Sequence, residues 1–159
     1  MTKFDEFYEV IRRLRAPDGC PWDRAQTHES LKPPCIEEAC EVICGINVLK
    51  ETGNADNLKE ELGDLLLQVI FHAQIAEDAG EFTMDDVLQT AIDKMVRRHP
   101  HVFAGKVYRD QAEAKADWEE IKRREKAGRP SNDEALREAF DESIEWIHVA
   151  KRRKHMEED

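Results

Sequence analysis

Residues 58–73 read LKEELGDLLLQVIFHA, and this stretch decides the fold. Its apolar residues recur every three to four positions and cover a wide face, which predicts a helix that is buried on more than one side. Asn54 or Asn57 is placed to cap the start of this helix, and Gly80 to end it. Alternation with a period of two is hard to find in the chain, whereas the helical period recurs almost everywhere. The sequence therefore predicts an all-α helical bundle.

Five more helices are predicted on either side of this stretch. Proline, glycine and capping signals place them at residues 4–14, 33–52, 83–99, 110–126 and 134–148. The segment Cys20-Pro21-Trp22-Asp23, between the first two, is predicted to be a loop. Gly128-Arg129-Pro130 breaks the chain, so we expect one domain over residues 1–128 and a helical extension over 129–159. The extension could serve as an appendage or as an oligomerisation arm.

The charge of the chain restricts the classes of molecule that it is expected to bind. The net charge is −11, which argues against binding to nucleic acid or to an anionic membrane surface. No run of about 18 apolar residues exists, and the charged N-terminus does not resemble a signal peptide, so a cytoplasmic location is expected. A polyanionic substrate would need metal ions or a local basic cluster.

The four cysteines are predicted to be reduced. Cys40 and Cys44 lie at i,i+4 within an apolar helical stripe, where free cysteine behaves as a small core residue. None of the cysteine pairs has CxxC spacing, and no histidine follows at zinc-finger spacing. A cysteine-based metal site is the weaker alternative.

Two helices carry closely spaced acids, Glu37, Glu38 and Glu41 on one and Glu61 and Asp64 on the other. Residues three or four apart share a helix face, so these carboxylates can converge. Such spacing taken alone is more often solvated surface. Here the leucines around Glu61 and Asp64, and a mid-helix Gly63 that suggests close approach of a neighbour, favour a site that holds Mg²⁺ or Mn²⁺.

A basic cluster, Lys94, Arg97 and Arg98, lies near the end of the helix over residues 83–99. Lys94 and Arg98 share a face, and both residue types bind phosphate. Basic residues also favour helix C-termini for electrostatic reasons alone, so both interpretations stay open. Trp118 is either the core anchor of a charged helix or a stacking platform for a base.

At the acids the sequence resembles the MazG family of nucleoside triphosphate pyrophosphohydrolases. The family pattern EExxE followed by ExxD reads Glu37-Glu38-x-x-Glu41 and Glu61-x-x-Asp64 in this chain. Further blocks follow in the family order, namely Gly19-Cys20-Pro21-Trp22-Asp23, Gln26-Thr27-His28, Phe71-His72-Ala73, Arg97-Arg98-His99-Pro100-His101-Val102-Phe103 and Trp118-Glu119-Glu120-Ile121-Lys122. The resemblance covers roughly residues 5 to 127.

The resemblance implies an all-α fold that forms dimers or tetramers. It implies magnesium-dependent cleavage of a nucleoside triphosphate between the α- and β-phosphates, giving the monophosphate and pyrophosphate. The family's metal ligands fall on Glu38, Glu41, Glu61 and Asp64. Glu37 would hold a second ion or orient water, and Glu37 or Glu38 could accept the proton of that water.

The resemblance also bears on the basic cluster and the tail. It favours phosphate binding by Lys94 and Arg98, and a base contact for Trp118. Residues Cys35 to Asn47 carry cysteine and glycine where bulkier or acidic residues are expected, so local packing could differ. A helical module that binds metal and nucleotide without catalysis, or that binds a partner through its last helix, is the alternative. Base and sugar preference are not encoded in any residue that we can identify.

Overall fold

The computed structural model describes residues 1–154 and 156, and this part of the chain contains eight α-helices and no strand. The prediction of an all-helical protein is confirmed. The helices are α1 (Lys3–Arg15), α2 (Pro21–Arg24), α3 (Lys32–Thr52), α4 (Asp56–Ala79), α5 (Met84–Arg98), α6 (Pro100–Phe103), α7 (Gln111–Lys126) and α8 (Asp133–Arg153). No helix among the described residues has both the length and the apolar character that crossing a membrane requires.

The chain forms two compact units. The first contains Met1–Thr83 together with α8 from Ala135 onward, and the second contains Met84–Glu134. The first unit therefore holds α1 to α4 and nearly all of α8, and the second holds α5 to α7. The domain of residues 1–128 with an extension over 129–159 stays a prediction.

The core of the first unit lies where α1 packs against α4. Ile70 and Phe71 of α4 are buried with Ile11 of α1 and with Leu31, which precedes α3. Each such side chain contributes about 1.5–3 kcal/mol when it is fully buried. The buried residues of α4 run from Gln68 to Ala76. The wide apolar face in the sequence therefore marks a real central helix.

The helices α3 and α4 form the most extensive pair in the first unit. Gly53 ends α3 and Gly80 ends α4, both in the left-handed conformation that glycine adopts without strain. Both ends confirm the sequence prediction. At the start of α4, Asn54 Oδ1 accepts a hydrogen bond from the backbone N–H of Asp56 at 2.8 Å, whereas Asn57 lies inside the helix. The N-cap position is Ala55, so neither predicted asparagine is the N-cap residue, although Asn54 accepts from the first N–H of the helix.

The close approach between helices occurs at Gly45 and not at Gly63. A Cβ atom added at Gly45 would lie 2.7 Å from the backbone Cα of Leu58, so only glycine lets α3 and α4 come this close. A Cβ atom added at Gly63 would meet no atom of the described chain within 4 Å. The prediction of a close neighbour at Gly63 was therefore wrong within this chain.

Two further predictions need correction. Residues Pro21–Arg24 form a helical turn rather than a loop, because Pro21 loses no hydrogen bond at the first position and Arg15 Nη1 donates to the carbonyl of Asp23 at 2.7 Å. All four cysteines are free, but Cys40 and Cys44 are exposed and not buried in the core. The side of α3 that carries them faces a shallow cavity beside α8, where Ile147 is also a wall residue.

The second unit is organised by polar contacts around α7. Asp110 caps α7 by accepting a hydrogen bond from the backbone N–H of Glu113 at 2.8 Å. Lys106 forms an ion pair with Asp117 at 2.7 Å, and the Tyr108 hydroxyl donates to the same carboxylate at 2.5 Å. The charged helix predicted over residues 110–126 is thus confirmed, with its preceding loop fixed to it.

Candidate metal site and active site

Three carboxylates from two helices converge in the first unit. Glu38 comes from α3, and Glu61 and Asp64 come from successive turns of α4. One oxygen atom from each lies within 4.8 Å of the others, and all three side chains are half-buried. We call these residues the acid triad. Its convergence depends on the close packing of α3 on α4 at Gly45, because neither helix alone supplies all three oxygens.

The surroundings of Glu38 disfavour its negative charge. Partial burial raises the pKa of Glu38, and the negative charges of Asp64, Glu37 and Glu61 raise it further. Like charges that share a half-buried site are stabilised either by protonation or by a cation between them. The donor set consists of oxygen alone, which is the set that Mg²⁺ and Mn²⁺ prefer. The residues present therefore fit a hard divalent ion.

Asn57 supports the triad from one turn before Glu61. Its Nδ2 atom donates a hydrogen bond to Glu61 Oε1 at 2.8 Å. This contact fixes the direction of the Glu61 carboxylate and leaves its second oxygen for another partner. Sequence reasoning had treated Asn57 only as a helix cap. The i,i+4 spacing of Asn57 and Glu61 was the signal that could have identified it.

The other two predicted acids have positive partners. Lys154, directly after α8, forms ion pairs with Glu37 at 2.9 Å and with Glu41, and Arg153 forms an ion pair with Glu37. We call Glu37 and Glu41 the clasped pair, and Arg153 with Lys154 the basic clasp. Burial alone would raise the pKa of Glu37, but the hydrogen bonds from Lys154 and Arg153 outweigh it and lower that pKa.

Of the four predicted metal ligands, the structure thus brings together Glu38, Glu61 and Asp64, while Glu41 contacts Lys154 instead. Sequence reasoning missed the basic clasp. Its signal was the run Lys151-Arg152-Arg153-Lys154 at the end of a helix in a chain with an excess of acids. Such runs are usually explained by the helix dipole, so the pattern alone does not identify their partner.

Two histidines and a cysteine form a half-buried array that includes Cys35 of α3 and His72 of α4. The Nδ1 atoms of His28 and His72 lie 2.7 Å apart, and the Nε2 atom of His72 lies 3.4 Å from the Cys35 sulfur. Burial and the neighbouring His28 lower the pKa of His72. Burial, with a smaller effect from Glu38, raises the pKa of the Cys35 thiol, so this cysteine is not an activated nucleophile.

The predicted substrate-binding residues all lie in the second unit. Arg97 and Arg98 of α5 both bind the Glu125 carboxylate of α7, each at 2.6 Å. The ammonium of Lys122 lies 4.1 Å from the ring centre of Trp118, and the guanidinium of Arg98 lies 5.6 Å from it. Lys94 is half-buried on α5 and forms no ion pair within the described residues. The aromatic ring already attracts cations, and both arginines have a counterion.

Comparison with known proteins gives the same family as the sequence motifs. Residues 26–103 match the model of the MazG nucleotide pyrophosphohydrolase domain. This range contains all members of the acid triad and the clasped pair.

Several curated relatives match most of this chain. The protein named nucleoside triphosphate pyrophosphohydrolase/pyrophosphatase MazG of Thermotoga maritima is 49% identical over 132 residues, which are 81% of this chain and 48% of that protein. The nucleoside triphosphate pyrophosphohydrolase of Escherichia coli is 42% identical over 128 residues, 80% of this chain and 47% of that protein. The protein YabN of Bacillus subtilis is 51% identical over 124 residues, 78% of this chain and 24% of that protein. The chain spans about half or less of the length of these relatives, and it belongs to the MazG nucleotide pyrophosphohydrolase family.

Proposed function

We propose that this chain is an enzyme that hydrolyses nucleoside triphosphates between the α- and β-phosphates, with Mg²⁺ (or Mn²⁺) as the cofactor, to give the monophosphate and pyrophosphate. The observation that carries the proposal is the convergence of Glu38, Glu61 and Asp64 within 4.8 Å. Membership of the family and the names of two relatives support it.

Each acid has a distinct part in this proposal. Glu38, Glu61 and Asp64 hold the metal, and Glu41 joins them as the fourth ligand when its carboxylate is free. The ion supplies charge neutralisation for the phosphates and a more acidic water. Glu37 or Glu38 accepts the proton of the attacking water, which requires a carboxylate oxygen within hydrogen-bond reach of it. Asn57 keeps Glu61 oriented throughout.

Lys94, Arg97, Arg98 and Trp118 are the proposed substrate contacts. Lysine and arginine suit the phosphates, and the tryptophan ring suits the base. Substrate phosphates would replace Glu125 as the partner of Arg98, since phosphate accepts the same paired N–H donors as a carboxylate. An Arg98→Lys variant would retain the charge but lose the paired geometry, so its KM should rise.

A homodimer or homotetramer is part of the proposal. The first unit exposes large apolar side chains of α3 and α4, among them Ile43, Ile46, Leu62 and Val69. Apolar side chains clustered on one helix pair are typical of a surface that another chain covers. Light scattering on the purified protein measures the state directly, and a monomer at micromolar concentration would contradict it.

The test is a hydrolysis assay with a panel of nucleoside triphosphates and Mg²⁺, in which both products are identified. We expect pyrophosphate and a monophosphate, whereas orthophosphate and a diphosphate would contradict the cleavage position. A Glu38→Gln variant should lose activity by about 1000-fold, because a metal site contributes several kcal/mol to the transition state. Glu51→Gln makes the same change at an exposed position of α3 and should retain activity.

The second candidate function is a non-catalytic module that binds a partner through α8. Its support is the exposure of Leu136, Phe140 and Ile144 along that helix. Removal of residues 131–159 would then abolish partner binding in a protein that hydrolyses no triphosphate. Retention of hydrolysis after this removal would favour the enzyme.

A further inference from the structure

The basic clasp occupies carboxylates that the proposed metal site needs. Lys154 Nζ lies between Glu37 and Glu41, and Arg153 binds Glu37 from the same end of α8. Glu41 stands three residues after Glu38 and so shares its helix face. The cationic end of α8 is therefore bound beside the acid triad. It is bound partly through Glu41, which the family pattern assigns to the metal.

Other contacts between α3 and α8 accompany these ion pairs. The side chain of Glu37 is 15% exposed, and those of Glu41 and Lys154 are 32% and 34% exposed. Along the same side of α3, Ile36 and Cys40 share with Ile147 and Ala150 of α8 a mostly apolar cavity of about 200 Å³. An ion pair between Lys32 and Glu142 at 3.4 Å joins the two helices at the start of α3.

A divalent cation and the basic clasp have the same electrostatic requirement. Both are stabilised by the carboxylates at the start of α3. The positive charges of the ion and of the clasp repel each other when they lie close together. Lys154 holds Glu41 through Oε1 and places a positive charge beside it, which disfavours the recruitment of Glu41 by an ion at Glu38, Glu61 and Asp64. When an ion recruits Glu41, Lys154 loses one of its two partners and faces a positive charge.

We propose that the basic clasp is an intramolecular competitor of the metal ion, so that Mg²⁺ binding and the docking of the end of α8 oppose each other. The proposal rests on the proposed function of the acids as metal ligands. Because coupling between two binding events is reciprocal, any factor by which the clasp weakens Mg²⁺ is the factor by which Mg²⁺ weakens the clasp. The last turn of α8 then regulates how much of the protein holds metal at a given Mg²⁺ concentration.

The first measurement is calorimetric titration of the full chain with Mg²⁺ in the absence of nucleotide. A Lys154→Gln variant should bind Mg²⁺ at least about fivefold more tightly than the wild type, the lower range of typical coupling. Lys154→Arg preserves the charge and should bind like the wild type. Arg137→Gln is the matched control, because Arg137 lies on α8 and forms no ion pair with any part of the chain that the structure describes.

The results separate this proposal from the proposed function. Equal Mg²⁺ affinity in Lys154→Gln and the wild type would overturn the competition while leaving the metal site intact. Weaker binding of Mg²⁺ by Lys154→Gln than by the wild type would also overturn it, because removal of a competitor cannot weaken the binding of the ion. Absence of Mg²⁺ binding in the wild type, in Lys154→Gln and in Glu38→Gln alike would overturn both proposals.

The second measurement follows the helix itself by hydrogen–deuterium exchange. Residues 141–153 of the wild type should exchange faster when Mg²⁺ is added, because the ion releases the end of α8. In Glu38→Gln, which lacks a triad carboxylate, Mg²⁺ should leave the exchange of α8 unchanged. Slower exchange of α8 in the wild type with Mg²⁺ would show cooperation instead of competition and would overturn the proposal.

Discussion

Glu38 of the acid triad and the clasped pair, Glu37 and Glu41, lie close together along α3, yet their surroundings differ. Glu38 is held among the negative charges of Glu61 and Asp64, and its pKa is raised. Glu37, its neighbour in sequence, contacts Arg153 of α8 and Lys154 directly after it, and the pKa of Glu37 is lowered. A carboxylate whose neighbours are also negative favours an added cation, whereas one with a counterion in the chain does not. The partner helix, and not the residue type, therefore separates the two roles.

Among variants that change no carboxylate, Gly45→Ala should have the largest effect on the acid triad. The added Cβ would lie 2.7 Å from the Cα of Leu58, so α3 and α4 must move apart. Overpacking of this kind costs about 1–3 kcal/mol. The change from glycine to alanine inside a helix recovers about 1 kcal/mol of this cost. Urea unfolding should show a net destabilisation of up to about 2 kcal/mol.

The same variant separates the two groups of acids. The triad joins α3 to α4, so Mg²⁺ affinity should fall with the spreading of these helices. The clasped pair joins α3 to the end of α8, and hydrogen exchange of α8 should change little. A variant that unfolds like the wild type and binds Mg²⁺ equally well would show that the triad does not depend on the close approach at Gly45.

A pair of charge-neutralising variants in the metal-free protein should have effects of opposite sign. Glu37→Gln removes a half-buried partner of Lys154 and Arg153, and we expect the free energy of unfolding to fall by about 1 kcal/mol. Glu38→Gln removes a charge that its neighbours repel, and we expect that free energy to rise by about 0.5 kcal/mol. Urea titrations with a chelator present measure both values. Destabilisation by both variants to the same extent would remove the distinction between the two groups.

Much of the fold follows from local sequence because its signals are local. The helical period and the punctuation by Pro17, Gly53 and Gly80 predict the ends of α1, α3 and α4. The turn at Pro21–Arg24 escaped prediction, since the guanidinium that caps it comes from Arg15 on α1. A contact of this kind depends on the tertiary arrangement and leaves no periodic pattern.

The acids of the candidate site could be predicted from the sequence, whereas their contacts in the structure could not. Spacing and family pattern identify all of the acid triad, because ligands on two helices must repeat at three or four residues. Both signals predict Glu41 and Glu38 alike as metal ligands. In the structure, Glu41 contacts Lys154, whereas Glu38 lies with Glu61 and Asp64. In the same way, the apolar stripe around Cys40 and Cys44 predicts burial, but burial depends on which helices cover that face.

The smallest predicted effect comes from Gly63→Ala, between Glu61 and Asp64. Its Cβ would meet no atom of the described chain within 4 Å, and alanine is favoured over glycine inside a helix by about 0.5–1 kcal/mol. If only this chain surrounds the triad, the variant should be more stable than the wild type by about that amount, with unchanged Mg²⁺ affinity. Urea unfolding and calorimetry measure both properties.

The same variant also tests what covers this face of α4. Leu62 beside Gly63 is 50% exposed and Val69 is 42% exposed, so large apolar side chains of α4 are open near the glycine in the single chain. A second copy packed on it would approach the glycine closely, and the added methyl group would then weaken the assembly. Stabilisation at concentrations where the protein is monomeric, combined with destabilisation where it is oligomeric, would assign Gly63 to that interface. Equal stabilisation at both would place the interface elsewhere, because a methyl group at Gly63 can harm only a neighbour that touches it.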